Sequence, residues 1–163
     1  MKPWFLAGSH PQDYAISTEL VDGKQCGRLA STASQPGGFG TLMQGFKADV
    51  YHGKRMRLTG TVKTIDVHSW AGLWMRVDPT RDEPLAFDNM RDRPLSGTTD
   101  WQTYEVVLDV PVNATRIAFG ILLRGSGQVW LSEVRFEEVD DTVLVTANSK
   151  AADRPGNLDF SAA

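Results

Sequence analysis

Arg55-Met56-Arg57-Leu58-Thr59-Gly60-Thr61-Val62-Lys63 decides the fold class of this chain. Met56, Leu58 and Val62 fall on one face of an extended segment. Arg55, Arg57, Thr59, Thr61 and Lys63 fall on the other. Apolar and polar residues alternating with period two are the mark of a strand buried on one side. The pattern recurs at 103–110, where Tyr104, Val106, Leu108 and Val110 oppose Thr103, Glu105, Val107 and Asp109. It recurs at 116–124, with Ile117, Phe119, Ile121 and Leu123 on one face. Arg116, Ala118, Gly120, Leu122 and Arg124 lie on the other. Residues 128–136 follow through the turn Gly125-Ser126-Gly127.

Weaker strands are expected near 14–20, 27–33 and 39–47. Fifteen Gly and eight Pro punctuate these short segments. Many antiparallel strands in one domain-sized chain imply two packed sheets or a closed barrel. The expectation is an all-β antiparallel β-sandwich of about eight strands with no substantial helix. Pro79–Glu83 and Met90–Asp100 read as loops. One core should contain Leu58 and Val62, then Leu73, Met75 and Val77, then Tyr104, Val106 and Leu108. Ile117, Phe119, Ile121, Val134 and Phe136 complete it.

Composition narrows the function classes. The chain has 163 residues, 41% of them hydrophobic, which suits one domain with a real core. Its net charge of −3 argues against a general nucleic-acid binder. No long apolar run can span a membrane. The first residues, MKPWFLAGSH, hold no apolar stretch of signal-peptide length. The single cysteine, Cys26, excludes an internal disulfide. A cytoplasmic location is the expectation that follows.

The segment Leu73-Trp74-Met75-Arg76-Val77-Asp78 carries the chemistry. With Leu73, Met75 and Val77 turned to the core, Trp74, Arg76 and Asp78 project together from the opposite face. An indole can stack on a polar ligand, while a guanidinium and a carboxylate supply directed hydrogen bonds. The same three side chains equally suit an exposed Trp beside an Arg–Asp pair that stitches the sheet. Trp70, at a strand entry, is a second candidate platform, and Trp130 suits either the ligand face or a cap on the core.

Asp88, Asn89 and Arg93 form a second polar cluster, read either as ligand contacts or as internal salt bridges, with the salt bridges favoured. Enzyme signatures for phosphate loops, dinucleotide sites, zinc hydrolases and serine nucleophiles are missing. Asp78, Asp88, Asp100 and Glu105 are the carboxylates an acid–base hydrolase would draw on.

Three segments together bring a resemblance. Tyr51–Lys63, Thr99–Pro111 with Trp101 and Tyr104, and Gly127–Phe136 resemble, in order and spacing, the strands of jelly-roll carbohydrate-binding modules of the galactose-binding-like type. The resemblance covers roughly residues 23–138. The stretch from Trp70 to Trp101 is also similar to a bacterial domain associated with helix-turn-helix regulators, although no helix-turn-helix motif is present. The resemblance implies a jelly roll and a sugar or other small polar ligand. It departs from the family at Ser132-Glu133, where many modules carry two aspartates and the first helps hold a structural calcium. No cofactor is expected, with that calcium the open alternative.

The resemblance also bears on the tail. Residues 1–145 are the expected sandwich and 146–156 a linker. Asn157-Leu158-Asp159-Phe160-Ser161, within 157–163, matches a strand that usually comes first in such modules. That strand would dock within its own chain or cross to a second copy, forming a homodimer by strand exchange.

Three functions follow as expectations. The first is a non-catalytic module that binds a carbohydrate or other polar small ligand, with no nucleic-acid or membrane partner. The second is a regulatory or oligomerisation domain. The third is a hydrolase using an acidic pair.

Overall fold

The computed structural model of the chain describes residues 1–147 and Leu158. Nine strands follow one another: β1 (Phe5–Gly8), β2 (Tyr14–Val21), β3 (Lys24–Ser31), β4 (Phe39–Lys47), β5 (Arg55–Asp78), β6 (Ala86–Asp88), β7 (Leu95–Asp109), β8 (Arg116–Arg124) and β9 (Gln128–Val139). The helical content among the described residues is two 3-10 turns, at Pro11–Asp13 and Asp49–Tyr51. The expected all-β antiparallel sandwich is therefore the fold.

The strands run β1-β4-β8-β5-β9-β3-β2, with β6 and β7 also paired to β5. β5 is the hinge of this curled sheet. Its 24 residues can extend about 80 Å at strand rise, enough to serve both layers. Arg55–Val62 pairs with β7, and Arg55–Ile65 with β9. From Trp70 onward it pairs with β8, and at Met75–Val77 with β6.

The pairing of β5 with β7 slips between Val62 and Ala71, and Asp66 there adopts a left-handed backbone at φ 51°. Bulges of this kind bend a strand and raise its twist, which carries β5 from one layer into the other. The two layers close over a core of Leu29, Leu58 and Leu131 on one side and Leu42, Leu73 and Ile121 on the other.

Ten of the thirteen expected core residues lie in this buried cluster, while Tyr104, Val134 and Phe136 pack against it half-buried. Three features differ from the sequence reading. β1 and β6 are short additional strands. Residues 95–100 begin β7 rather than ending a loop. The segments at 55–63 and 73–78 are one continuous strand.

Beyond β9, the Thr146 N–H donates to the Val107 carbonyl at 2.9 Å, and the Val107 N–H donates to Thr146 Oγ1 at 2.8 Å. The chain is thus tied to β7 where a free linker was expected to start. The expected docking of 157–163 lies outside the described residues except for Leu158, which is 75% exposed.

Candidate ligand-binding cleft

Register builds the site. On the outer face of one layer, Trp70, Gly72, Trp74 and Arg76 of β5 stand opposite Arg124, Leu122, Gly120 and Ala118 of β8. Those four stand in turn opposite Phe39, Thr41, Met43 and Gly45 of β4. Ala7 of β1 lies beside Thr41, and Phe87 of β6 beside Arg76. Met43, Trp74, Ala118 and Leu122 form a second buried apolar cluster, with Ala7, Phe39, Trp70 and Phe87 packed around it. β8 is therefore apolar on both faces, covered by the core on one side and by this cluster on the other.

Above the cluster is a cleft of about 630 Å³. Trp74 forms its floor and is only 6% exposed, so the open platform expected at this position is corrected to a buried base. Its indole N–H donates to Thr41 Oγ1 at 2.8 Å, and the Thr41 hydroxyl donates to the Ile121 carbonyl at 2.9 Å. Satisfying that N–H is what lets so large a polar-tipped ring lie buried. Gly120 lies across from Trp74, and a Cβ there would collide with the β4 backbone at Leu42.

The walls combine Trp70, Phe39 and Phe87, all half-buried, with Arg76, Asn89, Arg91 and Arg124. One Tyr14 hydroxyl braces two of these positions. It lies 3.0 Å from the Gly38 carbonyl and 2.8 Å from that of Gly125, the residues just before Phe39 and just after Arg124. Burial pushes the Tyr14 phenol pKa up, so the hydroxyl keeps the proton that makes this brace.

Of the eight residues singled out in the sequence, Trp70, Trp74, Arg76 and Asn89 line this cleft. Asp78 accepts a 3.0 Å hydrogen bond from Arg76 Nε and borders a separate shallow hollow with Pro79 and Arg116. Asp88 is fully buried, accepting from Arg93 and, at 2.9 Å, from the Met90 N–H. That pair locks the turn behind β6; of the salt bridges expected with Arg91 and Arg93, the structure shows those of Arg93.

Trp130 belongs to the other layer. Its indole N–H donates to Glu19 Oε2 at 2.9 Å and Arg28 lies over its ring, so its expected place on the ligand face is corrected. Sequence reasoning missed Phe39, Thr41, Met43, Phe87, Arg91, Leu122 and Arg124. The available signal was the apolar outward row of β8, Ala118 and Leu122, which demands a second cover.

The four carboxylates of the hydrolase reading do not form a pair in this cleft. Asp78 and Asp88 are held by Arg76 and Arg93. Asp100 and Glu105 lie on β7 of the other layer, near Lys63 and Arg57. At the calcium-linked position, the Ser132 hydroxyl donates to the Gln25 carbonyl and Glu133 pairs with Lys24. Among the described residues, no group of three His, Cys, Asp or Glu could hold a metal ion.

The fold is a jelly-roll antiparallel β-sandwich, the fold that carbohydrate-binding modules also have. No family model matches the chain. Among solved structures, the CBM22-1 xylan-binding domain of Paenibacillus barcinonensis Xyn10C aligns with a TM-score of 0.60 at 10% identity. It covers 83% of this chain and 85% of that one. The enzymatically active domain of bacteriophage CBA120 tailspike protein 4 aligns at 0.64 and 16% identity, over 85% of this chain and 20% of that one. At such identities the likeness is one of fold.

In sequence, the chain is 48% identical to the uncharacterized HTH-type transcriptional regulator YbfP of Bacillus subtilis (strain 168), over 98% of its own length. It spans 57% of that relative. The similarity to domains of helix-turn-helix regulators, expected from the sequence, is thus found. No helix among the described residues is long and apolar enough to cross a membrane.

Proposed function

We propose that this chain is a non-catalytic module that binds a carbohydrate or similar small polar ligand in the cleft over Trp74. The observation that carries the reading is the cleft itself: an aromatic and methionine floor rimmed by a few polar groups on one face of a curled sheet. Ligand sites are built this way, with apolar surface for burial and sparse polar groups for orientation. The xylan-binding domain of like fold supports the ligand class.

The YbfP likeness supports a second layer to the reading. A helix-turn-helix needs two helices, and the described residues hold only two short 3-10 turns. In a protein built like that relative, DNA reading would fall to other residues and this module would be the sensor, in a cytoplasmic regulator. A partner-binding or oligomerisation domain is the competing role.

A thermal-shift and glycan-array screen with simple sugars and short oligosaccharides tests the proposal. A true ligand at a hundredfold its Kd stabilises by about 2.7 kcal/mol, or about 5–10 °C for a chain of this size. Trp74→Phe and Trp70→Ala should abolish or weaken that shift. No hit, together with a concentration-independent dimer in light scattering, would favour the assembly role.

A further inference from the structure

We infer that the cleft selects an anionic ligand, a ring-bearing molecule with a carboxylate or phosphate group; this rests on the cleft being a ligand site. The chain as a whole is acidic, with 20 Asp+Glu against 17 Lys+Arg. The cleft inverts that balance: Arg76, Arg91 and Arg124 line it, and no Asp or Glu among the described residues does. Arg76 shares its charge with Asp78, whose carboxylate accepts from Nε at 3.0 Å. Arg91 and Arg124 are exposed and, among the described residues, join no ion pair.

Four cations on the β7-β5-β9-β3 side are paired instead. Lys24, Arg55, Arg57 and Lys63 each meet a carboxylate within 3.0 Å. Gathering three guanidinium groups around one concavity is electrostatically unfavourable unless an anion joins them. The low-dielectric floor of Trp74, Met43 and Leu122 strengthens the field that such an anion meets. A guanidinium fork matches the two oxygens of a carboxylate or phosphate. Trp70, Phe39 and Phe87 supply aromatic surface for the ring of the same molecule. Arg124 sits on backbone that Tyr14 braces through Gly125, so its guanidinium projects from a fixed base.

Calorimetry on the full chain tests this with matched probes: galactose against galacturonate, glucose against glucose 6-phosphate, and inorganic phosphate alone. The charged member of at least one pair should bind at least tenfold more tightly than its neutral partner, and more weakly as salt is added. Which pair responds separates a carboxylate ligand from a phosphate one. Arg124→Gln and Arg91→Gln should each weaken binding about tenfold, the loss of one charge-assisted hydrogen bond, with unchanged melting. If one variant melts early, the other carries the test.

Equal affinity for charged and neutral partners would overturn the anion inference while leaving the sugar site intact. Inorganic phosphate binding as tightly as glucose 6-phosphate would support the anion site and count against a sugar ligand. Silence from all five probes would overturn the inference, and the neutral-sugar screen would then decide the cleft on its own.

Discussion

The two outer faces of the sandwich share β5 and differ in what they do with their charges. On the β7-β5-β9-β3 side, charged side chains answer one another across the strands: Arg57 with Glu137, Arg55 with Asp109, Lys24 with Glu133, Lys63 with Asp22. Even its tryptophans are engaged, Trp101 with Asp22 and Trp130 with Glu19. On the β6-β5-β8-β4-β1 side, the strands present aromatic, methionine and glycine positions, and Arg91 and Arg124 stand at the rim. A face whose polar groups satisfy each other offers a ligand little. A face with an apolar floor and uncommitted donors keeps its interaction capacity for something else. The difference, more than the fold, supports the proposed place of the ligand.

The core beneath both faces should be the most sensitive place to cut. Phe119 packs against Trp4, Phe46 and Phe136, and its truncation to Ala should cost about 3–5 kcal/mol in chemical denaturation. A loss well under 1 kcal/mol would mean the layers do not close there.

Thr41→Val comes next. It keeps the shape of the floor but strands the buried Trp74 N–H, which should cost about 1–3 kcal/mol. A neutral outcome would mean the indole is not seated against Thr41.

Trp70→Ala sharpens the comparison, because Trp70 is half-buried on the cleft wall. It should weaken ligand binding by about 1–2 kcal/mol, as a lost aromatic anchor does, with a smaller effect on melting. Arg57→Gln on the opposite face should leave binding unchanged and shift stability by less than about 1 kcal/mol. Reversal of those two results would move the site to the other face.

The smallest effect is one of pH. Hydrogen bonds from Trp101 Nε1 and Lys63 hold the Asp22 carboxyl below its ordinary value of 3.8. A carboxyl depressed in the folded state adds stability above its unfolded pKa and loses it as pH falls through the depressed value. The melting temperature should therefore decline below about pH 4, and less steeply in Asp22→Asn. An identical acid limb in that variant would remove Asp22 from the account.

Sequence made one part of this comparison legible and hid another. Strict alternation at Leu73–Asp78 and Arg116–Arg124 assigned both faces of the central strands, and Trp74 and Arg76 to the outer one. It did not reveal that β5 runs unbroken through Thr64–Ser69, because bulges there destroy the period-two signal. The cleft walls from β4, Phe39 and Met43, depend on which strands become neighbours, and long-range pairing is not written into any local stretch. For Asp88, Arg93 and Trp130 the sequence leaves a ligand contact and a structural role both open, because a polar or aromatic side chain reads the same whether its partner is a ligand or another residue. Only the packed chain shows that Asp88 and Arg93 answer each other and that Trp130 answers Glu19.

The five tryptophans offer the most direct test of the two-face account. Indole N–H resonances of 15N-labelled protein, assigned by single substitutions, can be followed while galacturonate or the best screening hit is added. The account predicts that Trp70 and Trp74 shift together and saturably, while Trp101 and Trp130 stay in place. Shifts at Trp101 or Trp130 with Trp70 and Trp74 unmoved would contradict it.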